Sequence, residues 1–286
     1  MGYKTQVGLV DPRLLGTRIV LNTGVYADRS EPFNQDFGTE SWGGHVNFSR
    51  DWRRHFTFGL ANRYERRQQF PRNAETAVSD RTAEDFDPRR IFVTTPTVQY
   101  DTRDDFIRPR RGWLSALSMD MSKGFDNNLD DFFKYRFDTR YYHPLASRVT
   151  LAARFWIGYL SPYGGDAPPV DQLFYLGGTS TVRGYEENLL RFDAEGKAVG
   201  GQLAMTANVE TRIDIGRNFE LIPFVDTGSV RQAQAPAGND DLRWSAGLGV
   251  QYITPIGPMG LFYGMKIDPK PAQSNGQLHL SIGYTF

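Results

Sequence analysis

The sequence predicts an all-β protein, a transmembrane antiparallel β-barrel, on three observations. Stretches of roughly ten residues alternate apolar and polar side chains, and no segment sustains a helical period. The connections between these stretches are short and long by turns. Full charges recur on the polar faces, where a dry core would make them very costly and a water-filled lumen accepts them.

The alternation is clearest in the middle and at the end of the chain. Val149, Leu151, Ala153, Phe155, Ile157 and Tyr159 share one face, opposite Thr150, Ala152, Arg154, Trp156 and Gly158. Phe133, Tyr135, Phe137 and Tyr141 oppose Lys134, Arg136, Asp138 and Arg140; Leu203, Met205, Ala207 and Val209 oppose Thr206, Asn208, Glu210 and Arg212. Leu278, Leu280, Ile282, Tyr284 and Phe286 oppose Gln277, His279, Ser281, Gly283 and Thr285. Weaker alternation over 3–10, 17–26, 42–50, 54–65, 90–101, 113–122, 219–229, 242–252 and 259–268 brings the count to about thirteen strands. A tilted strand of about ten residues crosses a hydrocarbon layer.

The connections supply the sidedness. Asp11–Gly16, Asp51–Arg53, Tyr142–Ala146, Ile215–Asn218 and Thr254–Pro258 are short, and Asp101–Gly112, somewhat longer, falls on their side. Between them lie Ala27–Ser41, Arg66–Arg89, Lys123–Asp131, Leu160–Gly200, Arg231–Asp241 and Asp268–Asn275. Short turns on one rim and long polar loops on the other are the arrangement of an outer-membrane barrel. Bacterial single-chain barrels have even strand numbers, and open edges do not face lipid. An odd count whose pattern is already running at residue 2 therefore reads as a barrel short of its first strands.

Bulk composition narrows the function classes. The 33 basic and 33 acidic residues balance, so no basic face for nucleic acid is announced, and the absence of cysteine removes disulfides and thiolate sites. No basic-then-apolar leader opens the sequence, and no apolar run of 18 or more residues marks a transmembrane helix. His45, His55, His143 and His279 lack metal-ligand spacing and read as solvated or lumenal. The glycines of 246–250 and 257–260 open no helix, so a phosphate loop is not supported, and no Ser/His/Asp set stands out. No enzyme and no cofactor are expected.

The connection 160–200 carries the most particular stretch, Phe174–Phe192, with Val182, Arg183, Gly184 and Tyr185 at its centre. Structureless loops longer than about 12–15 residues are usually functional or disordered, and paired glycines, flanking aromatics and a central arginine favour a folded one. Glu210 lies on the polar face of the next strand; Asp226 follows on the one after, in Leu221–Gly228, where alternation is poor. Spacing leaves two readings open: a solvated arginine above two lumenal acids, or a guanidinium forked onto both.

FYLGGTSTVRGYEEN resembles the lid loop of the BamA-like superfamily, which comprises outer-membrane assembly factors, TamA proteins and two-partner-secretion transporters. VQYDTRDDFIRPRRG resembles a strand and turn of the same group, through Asp101, Arg103, Asp104, Pro109 and Gly112. NVETRI, PFVDTG, SAGLGVQYITPIGP and SIGYTF resemble its last strands, so the similarity spans 1–286 as one barrel domain. It implies a bacterial outer-membrane location, contact with outer-membrane lipid and a lid loop 160–200 folded into the lumen. It further implies an Arg183 latch on Glu210 and Asp226, and unfolded outer-membrane or secreted polypeptides as clients. The family barrel has sixteen strands and follows periplasmic POTRA modules, which this chain does not contain. POTRA domains and lipoproteins are thus the partners the resemblance implies. Gly283, as a kink, and Phe286, as a terminal aromatic, would belong to a weak seam at the last strand. A secretion pore, or a membrane anchor for a patatin-like domain, remain alternatives to an insertase.

Overall fold

The computed structural model describes residues 2–72, 86–164, 167–233, 242–255, 257–270 and 273–283. Its thirteen strands lie in one sheet in chain order. They are β1 (Tyr3–Asp11), β2 (Val20–Ser30), β3 (Phe37–Trp52), β4 (Phe56–Pro71), β5 (Arg89–Asp101), β6 (Gly112–Gly124), β7 (Phe132–Ala146), β8 (Val149–Pro162), β9 (Leu203–Gly216), β10 (Phe219–Arg231), β11 (Arg243–Thr254), β12 (Gly257–Lys266) and β13 (Gly276–Ile282). The strand count read from the alternation holds; several boundaries move. β3 and β4 are 16 residues each, paired from Phe37↔Pro71 to Trp52↔Phe56. Their outer ends carry polar side chains on both faces, so the period-two signal fades there while the backbone ladder continues. β2 starts later than expected because Leu14–Gly16 winds a 3-10 turn closed by Thr17. The Thr17 hydroxyl donates to the Leu14 carbonyl at 2.7 Å and accepts from the Ile19 amide at 3.2 Å.

These shifts correct the reading of the connections. The connection 31–36 is shorter than 12–19, so strict short–long alternation fails at the first pair. The connections 147–148, 217–218 and 255–256 are two residues each; Arg217 and Asn218 both have positive φ (54° and 64°), the backbone that a two-residue turn between twisted strands requires. The expected ring of strands is not closed either. β1 and β13 stand at the two ends of the strand order, each paired on one side among the described residues.

The chain divides into two compact units. The first comprises Met1–Tyr100, Ala116–Arg136 and Tyr159–Leu173; its inward face buries Glu65, Gln69, Arg89 and Asp120 beside Ile91 and Val93. The second comprises Asp101–Ser115, Phe137–Gly158 and Phe174–Phe286, and holds two small apolar clusters, Tyr142 with Ala152 and Ile222 with Phe224 and Phe262. Several charges on the inward faces are paired. Arg136 forks onto Asp120 at 2.9 and 2.7 Å, while Arg140 and Arg154 share Asp138 at 2.9 and 2.8 Å.

The opposite face is apolar. Val209, Val225, Leu248, Val250, Leu261, Tyr263, Leu278 and Ile282 are all exposed, at alternate positions along their strands. In β13 the contrast is sharp: Leu280 is 70% exposed and its neighbour Ser281 7%. In a bilayer Leu280→Arg is therefore expected to cost about 2–4 kcal/mol if near the midplane, and Ser281→Arg far less. Unfolding from liposomes in denaturant measures both, and equal losses would contradict the facing.

Candidate functional site

The segment that follows β8 is folded. Phe174 and Gly201 exchange both backbone hydrogen bonds at 2.9 Å, and Leu190 N–H donates to Leu176 O at 2.9 Å. Phe174 packs edge-on against Trp156 with centroids 5.5 Å apart. These ties hold Val182, Arg183, Gly184 and Tyr185 against the inward face of β9–β13, and all four are buried.

Arg183 has 1% of its side chain exposed. Its Nε and Nη2 fork onto Asp226 at 2.7 and 2.8 Å, and its Nη1 reaches Glu210 Oε2 at 2.8 Å. The Arg183 amide also donates to Asp226, at 3.0 Å. The other Glu210 oxygen accepts from Arg212 Nε at 2.8 Å. Two cations and two carboxylates thus balance, and the Arg183 guanidinium lies 3.7 Å above the Phe224 ring, a cation–π contact in a desolvated place. Asn208 donates to Thr181 O at 2.6 Å, fixing the backbone just before the arginine. Burial of this kind contributes little net stability, because desolvation offsets attraction; what it fixes is position.

Backbone fit sets the depth. Gly184 has φ +93°, and a Cβ on Gly264 would stand 2.5 Å from the Gly184 nitrogen, so segment and β12 touch main chain to main chain. Tyr185 donates to Trp244 O at 3.2 Å, with the Lys266 ammonium 5.2 Å from its ring.

A second cluster lies in the first unit, at residues that no local pattern singles out. Asp171, in the 3-10 turn Val170–Gln172, accepts from Gln69 Nε2 at 2.7 Å and Arg89 Nη2 at 2.9 Å, with Arg67 Nε at 3.1 Å. Burial works against its charge, but Arg67 and Arg89 overcome that and hold its pKa below the usual carboxylate range. Asp130 stands nearby, 3.5 Å from Arg89 Nη1, and neither of its oxygens accepts a hydrogen bond among the described residues. Burial, only partly offset by Arg89, pushes its pKa up to about 6.

The turn residues form a separate lattice. Asp101 accepts from Arg103 Nε and Nη2 at 3.1 and 2.8 Å, and Asp104 from the amides of Arg110 and Arg111 at 2.9 and 3.1 Å. Pro109 is buried, and Gly112 adopts φ +111°, where a Cβ would meet Thr102 O at 2.3 Å. Arg108, which sequence reasoning passed over, leaves this turn for Glu220 (2.7 Å) and Asp214 (3.1 Å). Glu210, Arg212 and Asp214 share one face of β9, so one strand carries both the Arg183 site and the Arg108 contact.

At the terminal strand, β13 ends at Ile282 and Gly283 turns out of it with φ +92°, its amide donating to Pro258 O at 2.7 Å. Gly283, where the kink is expected, is the last residue described. Phe286 lies outside the described residues. His279 was read as one of four scattered histidines, yet its Nε2 accepts from Gly184 N–H at 2.9 Å. Among the described residues no group of three or more His, Cys, Asp or Glu side chains could hold a metal ion.

A family model described as "Omp85 superfamily domain" matches residues 2–286. The chain is 26% identical over 277 residues to the "Outer membrane protein assembly factor BamA" of Nitratidesulfovibrio vulgaris, covering 93% of this chain and 34% of that protein. It is also 26% identical over 167 residues to the "Sorting and assembly machinery component 50 homolog" of Mus musculus, covering 52% and 35%. The chain thus spans about a third of the length of the curated relatives it matches. Among solved structures, BamA from Haemophilus ducreyi lacking POTRA domains 1-3 superposes with TM-score 0.79 at 17% identity, over 97% of this chain and 61% of that one. CdiB from Acinetobacter baumannii superposes with TM-score 0.61 at 15% identity, over 97% and 48%. Both likenesses are of fold.

Substitutions in both clusters test these assignments. Arg183→Ala leaves Asp226 buried without its cation and Glu210 with Arg212 alone, and should cost about 3–5 kcal/mol. Asp226→Asn should cost more than Glu210→Gln, since Asp226 holds three Arg183 donors while Glu210 is shared with Arg212; denaturant midpoints in detergent decide it. For Asp130, between about pH 4 and 6 the native state holds a proton that the unfolded chain has lost, so its contribution to stability falls as pH rises through that window. Asp130→Asn should raise stability at pH 8 by on the order of 2 kcal/mol and flatten the gain on acidification from pH 7 to 5. A parallel shift of the melting curve at every pH would refute this assignment.

Proposed function

The chain belongs to the Omp85 superfamily, and we propose that it is the barrel of an outer-membrane assembly factor, inserting unfolded outer-membrane polypeptides without nucleotide or cofactor. The buried Arg183–Asp226–Glu210 cluster carries this reading. A lid loop latched that firmly holds the interior of the wall in one arrangement while the terminal strand is paired on one side among the described residues, leaving its other edge for a partner. Such an edge is a template for an incoming strand. Main-chain hydrogen bonds then supply affinity with little demand on sequence, as clients of many sequences require. Lipid on the apolar face, and POTRA domains and lipoproteins on the short-turn rim, complete the proposed setting in a bacterial outer membrane.

The likeness to CdiB supports a second reading, a pore through which a secreted polypeptide passes along the polar interior. Reconstitution of the purified chain into liposomes separates the two. An insertase accelerates the folding of a urea-unfolded outer-membrane barrel protein added from outside, and a pore gives ion conductance. A membrane anchor does neither. Acceleration is expected, with Arg183→Ala reducing it by about tenfold, the effect of raising a barrier by 1.4 kcal/mol. Conductance without acceleration would favour the pore.

A further inference from the structure

β13 is short and bonded to one neighbouring strand among the described residues, so whatever else grips it governs how readily its edge becomes available. Of its inward side chains, Ser281 turns to Gly283 O of its own strand end, at 2.9 Å. His279 reaches the arginine segment with both ring nitrogens: Nε2 accepts from Gly184 N–H at 2.9 Å, and Nδ1 lies 3.3 Å from Thr179 Oγ1. An imidazole nitrogen that accepts carries no proton, so the neutral ring bears its hydrogen on Nδ1 and donates it to Thr179. The two contacts straddle Arg183 in the chain and lie 95 and 100 residues from His279. The ring itself is buried, 7% exposed.

We propose that His279 is a positioning residue that couples the arginine segment to the terminal strand, so that lifting the segment and loosening β13 are one event. Arg183 binds β9 and β10, Gly184 rests on β12 at Gly264, and His279 extends the grip to the final strand. Without it the segment would be tethered to the wall and β13 would be free to fray independently. Its bearing on polypeptide insertion rests on the function proposed above. The coupling itself does not, and is tested without a client.

Amide hydrogen exchange on the full chain in detergent micelles reads the coupling strand by strand. His279→Phe keeps a ring of similar size and removes both bonds. It should speed exchange of the β13 amides about tenfold, the scale of one net hydrogen bond, while β9 and β10 keep wild-type rates. His279→Gln, whose amide can accept from Gly184 and donate to Thr179, should restore most of the protection. Asp226→Asn loosens the segment from its other anchor; it should speed β13 exchange when His279 is present and add nothing to His279→Phe, as linkage demands. Unchanged β13 exchange in His279→Phe, an equal rise across β9–β13, no rescue by Gln, or additive effects in the double variant would each overturn the proposal. If His279→Phe does not fold, Thr179→Val removes the Nδ1 contact alone and should give about a threefold rise confined to β13; no rise there overturns it equally.

Discussion

A guanidinium taken out of water must meet its negative partners or not be buried at all, and this one condition organises the second unit of the molecule. Arg183 is enclosed because Asp226 and Glu210 stand where its fork needs them. Those acids sit there because β9 and β10 turn them to the polar face, in register with each other through Glu210↔Phe224 and Asn208↔Asp226. Arg212 then balances the remaining oxygen of Glu210. The glycines, the aromatic floor and the histidine arrange backbone and rings around a geometry that charge has already set.

The first unit solves the same problem with the signs reversed. There a carboxylate, Asp171, is the visitor from the long connection, and arginines and a glutamine on β4 and β5 receive it. That cluster also contains an acid, Asp130, whose carboxylate accepts no hydrogen bond among the described residues and which shares an arginine neighbour. Anchoring at two points, each by charges that burial would otherwise penalise, leaves a long connection little freedom to find another arrangement.

How much of this could be read from the sequence depended on whether a residue's role was written in its neighbours. Glu210 and Leu280 were legible because parity within a strand decides facing, and their strands alternate cleanly. Asp226 was harder because Ile222 and Phe224 also point inward; this apolar pair, whose phenylalanine lies under the Arg183 guanidinium, blurs the alternation at the place where the acid sits. The strand ends of β3 and β4 were missed for a related reason, since a ladder continues past the zone in which one side must be apolar. Asp171, Arg108 and His279 were out of reach: each acts through partners roughly a hundred residues away, and no local periodicity records such a contact.

The order in which these anchors occur along the chain has a consequence of its own. The residues that receive Asp171, namely Arg67, Gln69 and Arg89, precede it. Those that receive Arg183 and Gly184, namely Glu210, Asp226, Gly264 and His279, all follow them. A polypeptide emerging from its amino end can therefore seat the front of the connection on strands already present, whereas the arginine has no carboxylates to meet until β9 and β10 have arrived. Gly184, one residue on, waits longer still, for β12 and β13, so the connection closes onto the wall in the order in which the chain supplies it.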